Sequence, residues 1–390
     1  MDICTPATQP KWFKALLVTA LLSLGPLGCD NFFTTPTSGS PSSGSGIGAG
    51  AGGNFLYTAN AATGTISGFV VGAGSLTAIP NTPFSLGYTP QSLALSPGNS
   101  FLYVAGATGL FGTLSAYPIA SDGSLSVPSS GANVANLNVF DLAVSPDGNW
   151  LVGIDGQTTA LDVWRINRST GALSALQQAT FTVTATPPIS RQALRFSPNG
   201  ALLFAALGSA GEVVFTFNTA TGLAVESQTL AVGAQTSDNG LAVDNSGSTL
   251  YVARSGSGGG LATYAIGSAG KLTSIAGSPF SSGNGAYAVV LESTGKYVYV
   301  ANRTDGTISG YAIGTGTLTA LAGSPYASGA TVSSLLFDRT GKYLFAGALG
   351  GSPDLTMYGF DTTVSGQLDS LVKAQAGTDP AGVVQLATTY

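Results

Sequence analysis

The sequence contains no histidine and very few charged residues. None of its 390 residues is His, and Asp, Glu, Lys and Arg together make up 8%. The absence of His excludes Ser-His-Asp and Cys-His nucleophile systems, HExxH zinc sites and histidine proton shuttles. Lys and Arg number 13 against 18 Asp and Glu, a net charge of −5. Because no excess of basic residues is present to neutralise phosphates, no nucleic-acid partner is expected.

Metal and cofactor sites are also not expected. Without His, only a hard cation held by carboxylates and carbonyls would suit this composition, and the sequence contains no EF-hand pattern. A formal GxGxxG occurs at Gly48, Gly50 and Gly53. No predicted strand precedes it and no helix of the required kind follows, so we interpret it as part of a linker.

Residues 1–29 are typical of an export signal. Lys11 and Lys14 precede the apolar run Ala15–Leu24, which is too short to span a bilayer as a mature helix. Gly28-Cys29 resembles the lipobox of bacterial lipoproteins, in which the cysteine becomes the acylated N-terminus, although Pro26 occupies the place where that family prefers Leu. The sequence therefore predicts lipidation at Cys29 and anchoring to a bacterial membrane, facing the periplasm or the exterior. Ordinary signal cleavage and an uncleaved anchor are the alternatives.

Cysteine usage and the following segment agree with this prediction. Removal of the signal would leave Cys29 as the only thiol, because the other cysteine is Cys4. Residues 30–53 are rich in Gly, Ser, Thr and Pro, which predicts a flexible tether. The folded domain is therefore predicted to span residues 54–390.

That domain consists of seven repeats of about 48 residues. A Leu-Tyr-Val-Ala pattern recurs with its aromatic or apolar position at Tyr57, Tyr103, Val152, Phe204, Tyr251, Tyr299 and Phe345. A second column is aromatic in all seven repeats, at Phe69, Tyr117, Trp164, Phe215, Tyr264, Tyr311 and Tyr358. Only 9% of all residues are aromatic, so this agreement indicates a true repeat.

Each repeat contains four strand-sized segments with period-2 patterning, separated by Gly, Asn and Pro turns such as Pro146–Gly148. Seven units of four strands predict an all-β, seven-bladed β-propeller; a β-helix is the alternative, but its coils are about half as long. The first repeat begins at its second strand, and Val383–Ala387 matches the innermost strand of the other repeats. We therefore expect the C-terminal strand to pair with the first blade and close the ring.

The repeat resembles a known family. Tyr299–Asn302, Gly306–Tyr311 and Gly323–Tyr326 look like the YVTN-type repeat of lactonase-family seven-bladed propellers, which include 6-phosphogluconolactonase and muconate-cyclising relatives. The resemblance covers about residues 54–390. It implies the propeller fold and, if the catalytic residues are kept, lactone chemistry.

The resemblance places some of the family's functional residues in this sequence and not others. It implies a role for Arg191, Arg254 and Asp155, which match two arginines and an aspartate of the family pattern. The family's histidines and glutamate are replaced by Gln192, Asn138, Phe140 and Leu207. Whether the chain is an enzyme therefore stays open at this point.

Lactone hydrolysis needs a base to activate water and positive charge to hold the oxyanion. A substitute base would have to be Asp155, Asp141 or Glu212. Arg191 and Arg254 would supply the positive charge. Alternatively, the two arginines form salt bridges or cap carbonyls. Arg195, where sister repeats have Ala94, Ala143 and Ala242, is expected to face a polar channel or an acidic neighbour.

Three functions are therefore compatible with the sequence. The favoured one is an exported, lipid-anchored binding module for a small polar or sugar-like ligand or a surface protein. The second is a lactone hydrolase that uses Arg191, Arg254 and Asp155 with a substitute base. The third is a cell-surface adhesion or display protein.

Overall fold

The computed structural model describes residues 52–108, 111–128, 133–135, 139–155, 160–183, 189–351, 353–374 and 381–390. The signal of residues 1–29, Cys29, most of the tether and Asn138 lie outside these residues. The described chain forms seven antiparallel sheets of four strands, two of which carry a short fifth strand. The predicted all-β, seven-bladed propeller is thus confirmed.

The innermost strand of each blade borders the central channel. In blade order from the second to the seventh and then the first, these strands are β5 (Thr89–Leu95), β9 (Val139–Val144), β13 (Leu194–Phe196), β17 (Thr236–Val243), β21 (Ala286–Leu291), β26 (Val332–Phe337) and β30 (Val383–Thr388). Each contacts the innermost strands of the two neighbouring blades, and β30 lies between β26 and β5. The ring is therefore continuous.

The second strand of each blade carries the repeated Leu-Tyr-Val-Ala pattern and is almost wholly buried, because both faces of a blade pack against neighbours. These strands are β1 (Phe55–Asn60), β6 (Phe101–Thr108), β10 (Trp150–Asp155), β14 (Leu202–Ala206), β18 (Thr249–Gly256), β22 (Tyr297–Asn302) and β27 (Leu344–Ala348).

The third strand holds the invariably aromatic column, and these rings fill the space between blades. The third strands are β2 (Thr65–Val71), β7 (Phe111–Pro118), β11 (Ala160–Ile166), β15 (Glu212–Phe217), β19 (Gly260–Ile266), β23 (Thr307–Gly314) and β28 (Leu355–Phe360). Within each sheet the aromatic residue pairs with the Leu or Val that precedes the second-strand aromatic or apolar residue, as Phe69 pairs with Leu56.

The fourth strands form the outer rim. They are β3 (Leu76–Ala78), β8 (Asn133–Ala135), β12 (Leu173–Thr180), β16 (Ala224–Leu230), β20 (Leu272–Ser274), β24 (Thr317–Ala320) and β29 (Leu368–Ala374). The short strands β4 (Phe84–Ser85) and β25 (Tyr326–Ala327) add to the first and sixth blades, and a 3-10 turn covers Ser268–Gly270. Among the described residues, no helix is long and apolar enough to cross a membrane.

Two sequence predictions about connections are confirmed. The C-terminal strand β30 pairs antiparallel with β1, where Tyr57 lies opposite Ala387, so the last strand completes the first blade. The Pro146–Gly148 segment is a tight turn between β9 and β10 in which Gly148 has φ +72°, a conformation that favours glycine. Equivalent turns between first and second strands lie together at one end of the ring, which we call the lower face.

Candidate functional site

A polar layer crosses the central channel at the level of Gln192. The side-chain amide of Gln192, in the fourth blade, donates hydrogen bonds across the channel to the Leu335 carbonyl (2.8 Å) and Ser334 Oγ (3.4 Å) of the seventh. Gln385 of β30 donates to the Arg191 carbonyl (2.6 Å) and accepts a hydrogen bond from the Leu93 amide (2.6 Å). These bonds join opposite sides of the ring, and we call Gln192, Gln385, Ser334, Ser92 and Asp141 the channel plug.

Asp141 is the acidic member of the plug and is 1% exposed. Its Oδ1 accepts hydrogen bonds from Ser92 Oγ (3.1 Å) and Gln385 Nε2 (3.4 Å), and its Oδ2 accepts one from the Leu194 amide (2.8 Å). Burial raises the pKa of Asp141 to about 7, although these hydrogen bonds and the charge of Arg191 act in the opposite direction. Both carboxylate oxygens are therefore occupied by groups that hold the inner strands together.

Arg191 lies beside the plug and caps a carbonyl, one of the alternatives that the sequence left open. Its Nη1 donates to the Phe140 carbonyl (2.9 Å), and its guanidinium carbon lies 5.1 Å from the centre of the Phe140 ring. Burial lowers the pKa of Arg191, the neighbouring Tyr287 and Asp141 raise it, and the charge of Arg303 lowers it further. Arg191 therefore joins the fourth blade to the third.

Arg254 is occupied by buried carboxylates. Its Nε and Nη2 donate to the two oxygens of Asp238 (2.5 and 2.7 Å), and Nη2 also donates to Glu212 Oε1 (3.3 Å) and Tyr264 Oη (2.8 Å). Burial raises the pKa of Glu212, and the adjacent Asp238 charge adds to this effect. The salt-bridge interpretation of Arg254 is thus confirmed, and Glu212 belongs to a buried ion-pair network.

The remaining sequence-predicted positions lie apart from this group. Asp155 is the last residue of β10. Burial is the main cause of the raised pKa of Asp162, and the charge of Asp155 adds to this effect. Leu207, at the place of the family's glutamate, is fully buried in an apolar cluster. Phe140, at one histidine place, supplies a carbonyl and a ring to Arg191. Arg191 and Arg254 therefore act in separate hydrogen-bond systems, although the sequence grouped them with Asp155.

Arg195 differs from both sequence expectations. Its side chain is exposed and lines a cavity whose walls at this level are mainly apolar, and its Nε donates to the Leu241 carbonyl (3.3 Å). Among the described residues it has no ion pair. The sequence predicted a polar channel or an acidic neighbour because it could not show which side chains surround the strand.

A polar cleft of about 870 Å³ opens at the end of the ring opposite the lower face. We call it the upper cleft, and it lies over the fourth to sixth blades. Its wall consists of loops and strand ends rich in hydroxyl and amide side chains and glycine. The lining residues are Ser209, Gln235, Thr236, Ser237, Asn239, Arg254, Ser255, Gly256, Gly259, Ser282, Gly283, Asn284, Gly285, Tyr287, Arg303 and Thr304. Hydroxyl and amide groups with exposed backbone suit a polyhydroxylated ligand.

Arg303 is the residue of this cleft that sequence reasoning missed. Its guanidinium carbon lies 4.4 Å from the centre of the Tyr287 ring, a cation–π contact that holds the side chain against the wall. Within the described part of the chain, no carboxylate or carbonyl accepts a hydrogen bond from its guanidinium. Its only sequence signal was its position directly after the repeated Tyr-Val-Ala-Asn segment, at the end of β22.

No cluster of three or more acidic, His or Cys residues suited to a metal ion occurs within the described ranges. Arg254 and Arg303 are the cations that line the upper cleft, whereas Arg191 lines a separate cavity of the channel.

Comparisons with known proteins agree with the fold. Residues 273–385 match the family model described as Lactonase, 7-bladed beta-propeller. No curated protein matches the chain. Among solved structures, a protein of Lactobacillus plantarum is 19% identical with a TM-score of 0.70, and the alignment covers 87% of this chain and 100% of that one.

Two further solved structures have names that refer to lactones. One is provisionally assigned as a 6-phosphogluconolactonase of Bacteroides uniformis (18% identity, TM-score 0.68, 86% of this chain and 99% of that one). The other is the periplasmic gluconolactonase of Pseudomonas aeruginosa (19% identity, TM-score 0.66, 86% and 99%). At these identities the structures show the fold, and the resemblance to lactonase-type propellers is confirmed at that level.

Proposed function

We propose that this chain is an extracytoplasmic, lipid-anchored propeller that binds a sugar acid in the upper cleft without hydrolysing a lactone. The observation that carries the proposal is the unpaired Arg303 guanidinium, which is fixed on Tyr287 at the wall of a polar cleft. A carboxylate or phosphate is the group that a guanidinium recognises best, through parallel hydrogen bonds. The hydroxyl and amide lining would then contact the sugar hydroxyls.

The ligand class is taken from the solved structures that share the fold. Gluconolactonase and 6-phosphogluconolactonase act on lactones whose open forms are aldonates, which carry a carboxylate and, in one case, a phosphate. An aldonate or phosphoaldonate combines the anionic group and the hydroxyls that the upper cleft would accommodate.

The non-catalytic part of the proposal is supported by the plug and the buried acids. At the histidine place, Gln192 uses its amide to join blades, and an amide cannot transfer a proton at neutral pH. Asp141 and Glu212, two of the candidate substitute bases, have raised pKa values, are respectively 1% and 0% exposed and are bound within the protein. Neither has the exposure that a general base for a water molecule in the upper cleft would need.

The location is supported by the signal-like residues 1–29, by Cys29 and by a relative whose name includes the word periplasmic. The described chain begins at the lower face, where Arg339 Nη1 donates to the Gly52 carbonyl (2.8 Å) and Asn54 Nδ2 donates to Asp338 (2.8 Å). An acylated Cys29 would therefore be joined, through the tether, to the end opposite the upper cleft, leaving the cleft accessible to solutes. A mass shift of the diacylglyceryl cysteine in protein from bacterial membranes, and its loss in Cys29→Ser, tests the anchor.

Isothermal titration calorimetry of the full chain with gluconate and 6-phosphogluconate tests the ligand. We expect saturable binding that Arg303→Met weakens at least tenfold, because the fixed cation is lost, and that Arg168→Met leaves unchanged. Arg168 is an exposed arginine on another blade and serves as the matched control. Equal affinity in wild type and Arg303→Met, or no binding of either compound at millimolar concentration, would contradict the proposed ligand. Binding of a surface protein in place of a sugar acid would then become the working hypothesis.

A further inference from the structure

The channel has a second cavity, at its lower end. It measures about 600 Å³ and shares no lining residue with the upper cleft. Gln192, Gln385 and Asp141 of the plug lie at one end of it, and Pro97, Pro146 and Pro198 of the lower turns lie at the other. We call this cavity the lower vestibule.

The strand register explains the character of its wall. In each blade, one residue of the innermost strand lies opposite the second-strand aromatic or apolar position; the seven residues are Ala94, Ala143, Arg195, Ala242, Val290, Leu336 and Ala387. All except Ala242 line the lower vestibule. Six of these seven equivalent positions are therefore apolar, and Arg195 is the single charged exception.

The Arg195 guanidinium has hydrogen-bond donors available for a ligand. Its side chain is exposed, and the Leu241 carbonyl at 3.3 Å from Nε is its one hydrogen-bond acceptor in the described part of the chain. The acidic residue that borders the cavity, Asp141, is 1% exposed and has both oxygens bonded to Ser92, Gln385 and Leu194. The cavity is also lined by Arg191 and by polar residues such as Tyr390, but no carboxylate pairs with the Arg195 guanidinium among the described residues. A bound carboxylate would provide that counter-charge.

We propose that the lower vestibule binds a small molecule with one carboxylate on an apolar body. The carboxylate would contact the Arg195 guanidinium, and the apolar body would lie along Ala94, Val290, Leu336 and the apolar residues beside them. A volume of about 600 Å³ falls within the range of small-molecule sites. This site is independent of the upper cleft, because the plug lies between Arg195 and Arg303.

Octanoate is a suitable probe, and calorimetric titration of the full chain is the test. We expect one saturable site, with affinity at least tenfold higher than for acetate, which lacks the apolar body, or for 1-octanol, which lacks the charge. Arg195→Leu should weaken octanoate binding at least tenfold. Leucine is the residue that the seventh blade has at this level (Leu336), so the variant is expected to fold, and its thermal unfolding would be compared with that of wild type.

Matched variants separate this site from the upper cleft. Arg303→Met should bind octanoate with wild-type affinity, whereas Ala94→Trp, which fills the lower vestibule, should abolish binding. Unchanged octanoate affinity in Arg195→Leu, tenfold loss in Arg303→Met, or no binding to wild type at millimolar octanoate would overturn the proposal. Gluconate binding is measured in Arg195→Leu as well. If gluconate affinity is unchanged in this variant, the proposed function of the upper cleft stands regardless of the octanoate result.

Discussion

Three arginines near the channel differ in what surrounds each guanidinium. Arg254 has its hydrogen bonds taken up by Asp238, Glu212 and Tyr264, so it has little left for a ligand. Arg191 gives one hydrogen bond to the Phe140 carbonyl. Arg303 rests on Tyr287 with no acceptor among the described residues. Partner geometry, rather than residue type, decides which arginine can bind an anion.

The difference between Arg254 and Arg303 predicts that their substitutions lower stability by different amounts. Arg254→Met should lower the free energy of unfolding by about 3–5 kcal/mol, because Asp238 and Glu212 would be left buried without a counter-charge. Arg303→Met should change it by less than about 1 kcal/mol, since only a cation–π contact is lost. Urea denaturation of both variants at pH 7 measures the two values. Similar losses would show that Arg303 is a structural residue like Arg254.

The raised pKa of Asp141 predicts that the free energy of unfolding depends on pH. Its pKa is raised from 3.8 to about 7 by burial, so the folded state favours the neutral form. This favourable contribution is complete below the unfolded value of about 4 and is lost as the pH rises through 7. Asn at this position is neutral throughout. The free energy of unfolding of wild type relative to Asp141→Asn should therefore fall by a few kcal/mol between pH 4 and pH 7.

Denaturation series for the two proteins at pH 4, 5, 6 and 7 measure this difference. A constant difference across the range would mean that Asp141 titrates normally in the folded protein.

The candidate site was only partly predictable, because its contacts join residues that are distant in the sequence. The resemblance drew attention to Arg191 and Arg254 but could not show that Asp238 binds Arg254 from the neighbouring strand. Gln192 reaches the Leu335 carbonyl 143 residues away, a contact that depends on the diameter of the ring. Arg303 was overlooked because its importance arises from Tyr287, on another strand of the same blade.

At the level of elements, neighbouring blades are joined by a recurring hydrogen bond. Tyr57, Tyr103 and Tyr299, each in the second strand of a blade, donate their hydroxyl groups to the carbonyls of Gly123, Gly171 and Gly366 in the next blade. The three glycines occupy the turn between third and fourth strands. Burial raises the pKa of all three tyrosines, so the hydroxyl remains a donor at physiological pH.

This contact predicts the cost of removing one hydroxyl. Tyr299→Phe should lower the free energy of unfolding by about 1–3 kcal/mol, because the Gly366 carbonyl at 2.7 Å loses its donor in a buried position. Tyr297→Phe is the matched control, because Tyr297 lies in the same strand and its hydroxyl donates no hydrogen bond among the described residues. We expect this variant to change the free energy of unfolding by less than about 0.5 kcal/mol. Chemical denaturation of both variants is the measurement, and equal effects would show that the interblade hydrogen bond contributes nothing.

The strands themselves were largely predictable because their side chains repeat. The aromatic column from Phe69 to Tyr358 fixes the third strand of every blade, and the turns with Gly148 and Gly341 fix the hairpins, because both glycines have positive φ. The short strands β4 and β25 were not predicted. Phe84–Ser85 and Tyr326–Ala327 pair with their blades only over two residues each, so no periodic pattern marks them.

For the whole molecule, ring closure assigns different chemistry to the two ends of one channel. The pairing of β30 with β1 brings Gln385 into the plug, where it contacts residues of the second, third and fourth blades. The plug separates a polar, arginine-bearing upper cleft from a mainly apolar lower vestibule. Closure was predictable from the match of Val383–Ala387 to the inner strands, whereas the plug depends on side-chain contacts between residues that are distant in the sequence.

We propose that the upper cleft binds a sugar acid and that the chain does not open lactones. A pH-stat assay of the purified full chain with glucono-δ-lactone and 6-phosphogluconolactone tests it most directly, since lactone opening releases acid. We predict a rate equal to that of buffer alone for wild type, together with calorimetric binding of the corresponding aldonate. Saturable hydrolysis above the buffer rate that is lost in Arg191→Ala would contradict the claim and identify the chain as a lactone hydrolase.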